Sequence, residues 1–402
     1  MRYTLLFVVF AAIVGCRSHR QVSAAFPRVA YVQAETLDLS EDNVAVSMGG
    51  YGSSMAYDAS DSCFYLLTDR GPNVDGTQPE SKVFPVPGYS PTIGRFRLHG
   101  DSLVLVGKIV LCESDGTPFN GLPNSRGDGI TGETGYDLKG VAIENNARGI
   151  DPEGLAMAPD GTFWVSDEYG PFIMQFDRTG RLIREIKPSH GLPAYFAKRR
   201  PNRGMEGLAI SRDGTKLYGI MQSPLYLPDA STKGLSVNNR IVEIDLCGDS
   251  VREYLYRMDS PGNVVSEIIC MDDTTLLVLE RDDKFPKNGQ GVKRVYRVDL
   301  RGASDIAGDT IEMLSAEELQ LHDIIPLGKQ LFVDILEEVP AYSHDKPEGI
   351  DMIGDSILCI INDDDFGITV SGDGKYLPKT NAEGGLDKTE IYFIPVSMRS
   401  AI

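Results

Sequence analysis

The 402-residue chain is poor in histidine and tryptophan, and its basic residues are outnumbered by acidic ones. It has 5 His and 1 Trp, and 39 Lys and Arg stand against 58 Asp and Glu, so the formal net charge is −19. An acidic surplus of this size disfavours binding to nucleic acid or to an anionic membrane surface. We therefore expect a monomer that handles a small molecule and has no nucleic-acid partner.

Cysteine is also scarce, and no two cysteines are spaced as C-x-x-C. This absence removes the usual support for a zinc ribbon or a redox pair. The cysteines after Cys16 lie mostly in apolar runs, which predicts buried thiols and leaves one or two disulfides as an alternative. The chain has no G-x-S-x-G, H-E-x-x-H, P-loop or EF-hand pattern, so the corresponding enzyme and binding classes lack motif support.

The N-terminus carries the apolar run "LLFVVFAAIV", which is too short to span a membrane as a helix. It ends in "IVGC", which resembles the lipobox of bacterial lipoproteins. We predict a lipoprotein signal peptide at 1–15, lipidation of Cys16 and a tether at 16–28. A plain secretory signal is the alternative. Arg17 is compatible with the outer membrane, so the predicted location is an exported, lipid-anchored protein facing the periplasm or the cell surface, with lipid as the sole membrane contact.

A short segment recurs along the mature chain. "DPEGLAMAPDGTFWVSDE" at 151–168 shares E-G-L-A and D-G-T with "GMEGLAISRDGTKLYGIMQ" at 204–222, and weaker copies occupy 52–72, 265–283 and 347–365. Each copy predicts an antiparallel hairpin that turns at D-G or at a polar substitute.

Further strand-like runs follow each hairpin, and such units must pack on one another around an axis to bury both faces. The sequence therefore predicts an all-β protein with a single β-propeller domain over 29–402. Five units are visible, and "HDIIPLGKQLFVDIL" together with "RVAYV" predicts a sixth that closes the ring. We predict six blades, with five to seven as the range and a β-sandwich pair as the structural alternative.

The glutamates of the repeat lie at the start of each first strand, so a propeller brings them together near the axis. Close carboxylates repel one another unless a cation compensates them. Oxygen ligands with few histidines favour Ca²⁺ over zinc. The alternative is that each glutamate caps a turn or binds backbone amides of the next unit. The predicted calcium ligands in this set are Glu153, Glu206, Glu267 and Glu348.

The second strands of the hairpins end in polar residues, which places a further group of side chains at the same edge. Turn chemistry explains any single Asp or Asn there. We predict that Asp69, Asn362 and Asp363 add to the calcium ligands. We predict catalytic roles for Asp167, Glu168 and Glu280.

Three arginines interrupt this acidic set, at Arg70, Arg203 and Arg281. A guanidinium fork suits phosphate or carboxylate, so these residues are the predicted substrate-binding groups, with structural ion pairs as the alternative. His344 in "YSHDKPEG" precedes Glu348 and is predicted to reach the channel mouth as an acid or base.

The segments "DPEGLAMAPDGTFWVSDEYGP", "RGMEGLAISRDGT", "LLVLERDD" and "TDRGPN" resemble the phytase-like esterase domain of exported bacterial proteins, over about residues 40 to 395. The resemblance implies a propeller whose acidic residues act in hydrolysis of a phosphoester or a related ester. The first unit departs from the pattern, because Ser53 or Ser54 stands where other units have Glu. The residues that match are Asp69, Arg70, Glu153, Asp167, Glu168, Arg203, Glu206, Glu280, Arg281 and Glu348.

Three functions follow as hypotheses. The first is a calcium-dependent phosphoesterase in which arginines clamp the phosphate. The second is a calcium-dependent lactonase of the gluconolactonase and paraoxonase kind, which needs no phosphate clamp. The third is a non-catalytic surface propeller that binds a glycan, a phosphate compound or a protein. Fold alone does not choose among them.

Overall fold

A computed structural model describes residues 26–39, 44–248 and 250–397 of the chain. The predicted signal peptide and Cys16 lie outside these residues. In chain order the first strands are β1 (Val29–Val32), β2 (Thr36–Leu39), β3 (Val44–Ser47), β4 (Ser54–Asp58), β5 (Cys63–Leu67), β6 (Val74–Asp75), β7 (Ser81–Val83), β8 (Thr92–His99), β9 (Ser102–Val110), β10 (Thr134–Tyr136) and β11 (Ala142–Ile143). There follow β12 (Pro152–Met157), β13 (Phe163–Asp167), β14 (Phe172–Phe176), β15 (Leu182–Pro188), β16 (Gly191–Leu192), β17 (Met205–Ile210), β18 (Lys216–Met221), β19 (Asn238–Asp245) and β20 (Val251–Arg257).

The last strands are β21 (Val264–Asp272), β22 (Thr275–Arg281), β23 (Lys293–Asp299), β24 (Gly328–Asp334), β25 (Pro347–Ile353), β26 (Ile357–Asn362), β27 (Ile368–Val370), β28 (Tyr376–Pro378) and β29 (Glu390–Pro395). The α-helices of the described residues are α1 (Ala316–Leu321) and α2 (Ile335–Glu338). No helix in the described segments is long and apolar enough to cross a membrane. The prediction of an all-β chain is confirmed.

The strands form antiparallel four-stranded units that begin with the predicted hairpins. The units, in chain order, are β4-β5-β8-β9, β12-β13-β14-β15, β17-β18-β19-β20, β21-β22-β23-β24 and β25-β26-β29-β1. The D-G turns lie between the first two strands of the second and third units, where Gly161 and Gly214 have φ of 81° and 73°. These positive φ values favour glycine, which explains the D-G signature.

Apolar clusters fill the space between consecutive units. One such cluster lies between the first and second units, and others lie between the second and third, the third and fourth, and the fourth and fifth. A further cluster joins the fifth unit to the first, so the units close into a ring. This ring of radially packed sheets is the propeller-like arrangement that the repeat predicts.

The two segments assigned to a sixth blade lie in other units. Gly328–Asp334 pairs with β23 and is the outer strand of the fourth unit. Val29–Val32 pairs antiparallel with β29, as the outer strand of the fifth unit, and parallel with β9 of the first. Two isolated strands bury too little surface to be stable, whereas each of these completes an existing sheet.

Two smaller observations concern the predicted tether and the cysteines. Phe26, placed in the predicted tether, stacks on Phe393 with ring centroids 5.3 Å apart. The cysteines of the described residues are free thiols, so the alternative with disulfides is wrong here, and Cys63 and Cys359 are buried as expected.

A set of short strands covers one end of the ring, and we call it the cap. It consists of β2 with β3, the sheet of β6, β7, β10 and β11, and β27 with β28. Val44, Val46, Val74, Phe366 and Ile368 form its apolar core. The cap strands lie outside the repeated segments in sequence, so the repeat pattern does not predict them.

Candidate functional site

A cavity of about 430 Å³ opens where the inner strands begin and the second strands end, with the cap as one wall. The repeat predicts this location, because antiparallel neighbours bring those two ends to the same edge. Its acidic lining residues are Asp69, Asp75, Asp151, Glu153, Glu168, Asp283, Glu348, Asp363 and Asp365. Its basic lining residues are Arg70, Lys82, Arg203, Arg281 and Lys346.

The second unit supplies a cluster of three carboxylates. Asp151, Glu153 and Glu168 each place one oxygen within 4.8 Å of the others. They meet because Pro152 pairs with Asp167 across β12 and β13, which sets the strand ends side by side. Asp167 turns away from the cavity, where its Oδ1 accepts hydrogen bonds from the backbone N–H groups of Asp151 and Tyr169.

The crowding shifts the ionisation of these side chains. Burial, reinforced by Asp151, raises the pKa of Glu168 to about 8. Burial and the neighbouring carboxylates raise the pKa of Glu153 well above its usual range. Burial also raises the pKa of Asp151, although the Arg70 guanidinium opposes the shift. All three pKa values rise because uncompensated negative charge is unfavourable in a buried cluster.

The third unit adds a bridging amide. Gln222 donates from Nε2 to Oε1 of Glu168 and to Oε1 of Glu206, at 2.7 Å in each case. Oε2 of Glu206 and Oε1 of Gln222 are buried and have no hydrogen-bond partner. Burial and the charges of Glu168 and Glu348 raise the pKa of Glu206 well above its usual range. Glu206 therefore lies beside the cluster, as the repeat predicts.

Glu267 does not join the other glutamates. Val265 pairs with Glu280 as Pro152 pairs with Asp167, so Ser266, and not Glu267, occupies the position of Glu153. An offset of one residue turns a strand side chain to the other face. The Glu267 carboxylate instead accepts hydrogen bonds from the Ser54 hydroxyl and from the backbone N–H groups of Leu208 and Ile268.

The fourth and fifth units neutralise their own acids. Arg281 donates from Nη2 to Glu348 at 2.7 Å. Lys346 places Nζ 2.6 Å from Asp365 and 3.4 Å from Asp363. The ammonium and guanidinium groups of the chain thus occupy the side of the cavity where Glu348 and Asp363 were predicted to bind calcium. In the second-unit cluster, Asp151 lies 3.4 Å from Arg70, while Glu153 and Glu168 face the cavity and have no ion-pair partner among the described residues.

The three predicted substrate-binding arginines differ in what they contact. Arg70 is buried and donates to Glu133 at 2.9 Å, with Asp151 at 3.4 Å. Arg281 is engaged as described. Arg203 lies 3.7 Å from Asp283, and 23% of its side chain is exposed. Arg203 is therefore the arginine best placed to change partners when an anion enters the cavity.

Three further predicted residues lie away from the cavity, as Asp167 and Glu267 do. His344 is buried, with Nδ1 2.5 Å from Asp387 and Nε2 2.9 Å from the Tyr392 hydroxyl. Burial lowers its pKa, but the carboxylates outweigh burial and raise it to about 9. The Glu280 carboxylate accepts hydrogen bonds from the side chains of Tyr256, Asn263 and Lys329. It also accepts one from the backbone N–H of Asp259.

Asn362 is the third of these residues. Its amide donates to the Lys388 carbonyl, and its Oδ1 accepts from the Glu390 backbone N–H. The polar atoms of all three residues bond to neighbouring loops and strands, and none of the three lines the cavity. Asp69 and Asp363 do line the cavity, and Oδ1 of Asp69 accepts from the Gly71 backbone N–H at 2.7 Å.

The family described as "Phytase-like: Esterase-like activity of phytase" matches residues 46–366. The chain belongs to this family. The resemblance inferred from DEYGP and RGMEGLA is thereby confirmed, and the matched span includes the whole cavity floor.

A secreted relative and several solved structures are similar to this phytase-like chain. An "Uncharacterized secreted protein" of Arthroderma benhamiae is 26% identical over 374 residues, covering 73% of this chain and 72% of the relative. Among solved structures, a luciferin-regenerating enzyme has TM-score 0.38 at 9% identity, covering 91% of this chain and 96% of the other. Virginiamycin B lyase from Staphylococcus aureus has TM-score 0.34 at 12% identity, covering 91% and 99%. At scores this low, the fold rests on the strand pairing of the chain itself.

Sequence reasoning assigned no role to several cavity residues of the phytase-like chain. Asp151 and Lys346 hold the same place in "DPEG" and "KPEG", two residues before the glutamate, and this repeat position was a signal for both. Asp365 lies in the acidic run "NDDDFG", and Asp365 and Phe366 both have positive φ, of 49° and 56°. Such backbone strain in residues other than glycine is common at functional sites. The cap residues gave no repeat signal.

The second-unit cluster fits a hard cation. Asp151, Glu153 and Glu168 offer three carboxylate oxygens in one place, and each of the three has a raised pKa that a bound divalent cation relieves. Hard oxygen donors in this number suit Ca²⁺, with water or substrate completing the shell.

Proposed function

We propose that this protein is an exported, metal-dependent hydrolase that cleaves a phosphoester or a related ester in the cavity. The observation that carries the proposal is the second-unit cluster, whose oxygens lie within 4.8 Å of one another in the same cavity as Arg203 and Lys346. A site with grouped carboxylates beside cationic side chains suits the binding of a cation and an anion together.

Asp151, Glu153 and Glu168 are the residues that would hold the cation, and Ca²⁺ is the cation we propose. When bound, such an ion polarises the ester oxygen and acidifies water. Membership of the phytase-like family supports this reading. Glu267, Glu348, Asn362 and Asp363 have no part in it, since their side chains are engaged elsewhere or neutralised.

The protein's own side chains supply binding and a proton. Arg203 donates to the anionic oxygens of the ester, as a planar guanidinium does well. Lys346 contributes a second cationic group from the fifth unit. Asp69 lines the cavity, and burial together with the charge of Asp151 raises its pKa well above the usual range. Asp69 is therefore the acid that we assign to protonate the leaving alkoxide.

Export follows from the N-terminal pattern and is supported by the secreted relative. We propose that residues 1–15 are removed, that Cys16 is lipidated and that the domain faces the periplasm or the cell surface as a monomer. Mass spectrometry of the protein isolated from membranes tests the lipid anchor. The expected result is an acylated N-terminal peptide that begins at Cys16.

The experiment uses residues 17–402, purified and treated with chelator. Hydrolysis of a phosphomonoester, a phosphodiester, phytate, a carboxylic ester and a lactone is measured with Ca²⁺ and with chelator. Glu153→Gln keeps the side-chain size and removes one charge of the cluster, and we expect a loss of at least about a hundredfold in Ca²⁺-dependent turnover. Glu185→Gln, at a surface ion pair with Lys187, is the control and keeps full activity.

The outcomes separate the hypotheses. Ester turnover that needs Ca²⁺ and falls in Glu153→Gln supports the proposal. Lactone turnover without phosphoester turnover favours the lactonase, which gains support from the pairing of Arg70 and Arg281 with buried acids. If none of these compounds is cleaved under either condition, the hydrolase proposal is wrong and a binding function replaces it.

A further inference from the structure

We propose that the cavity accepts an ester with a single anionic group and excludes polyphosphorylated compounds such as phytate. This inference rests on the proposed function and narrows its substrate class. It concerns the balance and the placement of charge around the cavity.

The basic side chains of the cavity are already matched with acids. Lys82 contacts Asp75 at 2.6 Å, Lys346 contacts Asp365 at 2.6 Å, and Arg203 contacts Asp283 at 3.7 Å. Arg70 and Arg281 have buried pairs with Glu133 at 2.9 Å and with Glu348 at 2.7 Å. Each additional phosphate must therefore break an existing pair and leave an acid without its cation.

Glu153 and Glu168 of the second unit are not among those partners, whereas Asp151 lies 3.4 Å from Arg70. Nine acidic residues line the cavity against five basic ones, and Asp69, Glu153 and Glu168 appear in none of the pairs above. One divalent cation offsets part of this surplus and leaves room for one anionic group. Several phosphates held within a few ångströms of carboxylates repel them strongly, because unit charges at such distances interact by about 1 to 4 kcal/mol even in a well-solvated site.

The cap adds a mostly aliphatic strip to the cavity wall, beside the Lys82–Asp75 ion pair, whose residues are also part of the cap. Val74, Ile368, Thr369 and Val370 form this strip, and Val74 and Ile368 are buried. A phosphate placed against aliphatic groups loses water without gaining a donor, which is unfavourable. The uncharged body of an ester suits this wall. A cavity of about 430 Å³ also lies toward the small end of ligand sites, which range over roughly 300 to 1,000 Å³.

The test compares two ligands by calorimetry on protein loaded with one equivalent of Ca²⁺. Phenylphosphonate carries one anionic group on an uncharged ring and is not hydrolysed, and phytate carries many. We expect phenylphosphonate to bind at least about tenfold more tightly than phytate. Val370→Lys adds a cation to the cap wall and is expected to strengthen phytate binding about tenfold. Val106→Lys makes the same charge change on an exposed strand outside the cavity and is expected to leave both affinities unchanged.

The outcomes separate failure of this substrate-class inference from failure of the proposed hydrolase function. Wild-type protein that binds phytate as tightly as phenylphosphonate, or more tightly, overturns the charge argument while leaving an ester site in place. An equal gain in phytate affinity in both lysine variants overturns it too, since the effect then comes from net charge alone. If neither ligand binds, the proposed function itself is contradicted.

Discussion

Lys379 is a buried cation, and its removal tests how much its ion pairs with nearby carboxylates stabilise the protein. Its Nζ lies 2.7 Å from Asp365, 3.0 Å from Asp345 and 3.2 Å from Asp387, and its side chain is 6% exposed. Burial lowers the pKa of Lys379, but the neighbouring carboxylates outweigh burial and raise the pKa above its usual value. The ammonium therefore stays charged. Lys379→Met keeps most of the volume and removes the charge.

The expected cost follows from the burial. Removing one partner of a buried ion pair destabilises a protein by about 3–5 kcal/mol, because the other charge is left uncompensated. Here three carboxylates lose their shared cation, although Lys346 still contacts Asp365. Arg301→Met is the matched control. Arg301 lies 2.6 Å from Asp299, but 71% of its side chain is exposed, so we expect a much smaller change in the free energy of unfolding than in Lys379→Met.

The pH dependence gives the sign of the effect independently. Burial raises the pKa of Asp365, but Lys346 and Lys379 outweigh it and hold that pKa below its usual range. A carboxyl group with a lowered pKa stabilises the fold above its unfolded pKa, which is about 3.9, and the benefit fades as the pH falls below that value. The difference between wild type and Lys379→Met is therefore expected to be full at pH 7 and to shrink near pH 4 and below.

Urea unfolding followed by the fluorescence of Trp164, the single tryptophan, measures these differences. Trp164 is buried between the second and third units, so it reports on the packing of the ring. If Lys379→Met loses no more stability at pH 7 than Arg301→Met, or if the loss grows toward acid pH, the charge argument is refuted.

Two further predictions concern the second unit. Glu168 has a folded-state pKa of about 8, above its unfolded value, so its contribution to stability is full below about pH 4.3 and is lost as the pH rises through 8. We therefore expect that, without Ca²⁺, the melting temperature of Glu168→Gln falls less between pH 5 and pH 8.5 than that of the wild type. Equal decreases in the two proteins would contradict this. Gly154→Ala puts a Cβ 2.5 Å from the Glu206 carbonyl oxygen and should cost about 1–3 kcal/mol in urea unfolding. Gly372→Ala, with no atom within 4 Å, is the control, and equal costs would show that the inner strands move apart freely.

Much of the fold was predictable because the repeat is local. The spacing of E-G-L-A and D-G-T predicts the hairpins, and pairing of their strand ends predicts the edge where Asp151, Glu153 and Glu168 meet. The glycine after the glutamate has a reason that appears only in three dimensions, since Gly154 packs directly against the neighbouring inner strand. The two segments assigned to a sixth blade were misplaced because an outer strand has no signature of its own. Gly328–Asp334 pairs with β23, and Val29–Val32 pairs with β29.

The sequence by itself determined the alternation of hairpins, the acidic character of the strand ends and membership of the phytase-like family. Tertiary structure decided which of these acidic side chains face the cavity without being neutralised by a neighbouring cation. A register offset turned Glu267 toward Ser54, and charge partners distant in sequence neutralised Glu348 and Asp363 through Arg281 and Lys346. The physical reason is that a carboxylate's state depends on the charges and the water within a few ångströms. Packing of one unit on the next sets those neighbours, and the residues adjacent in the chain do not.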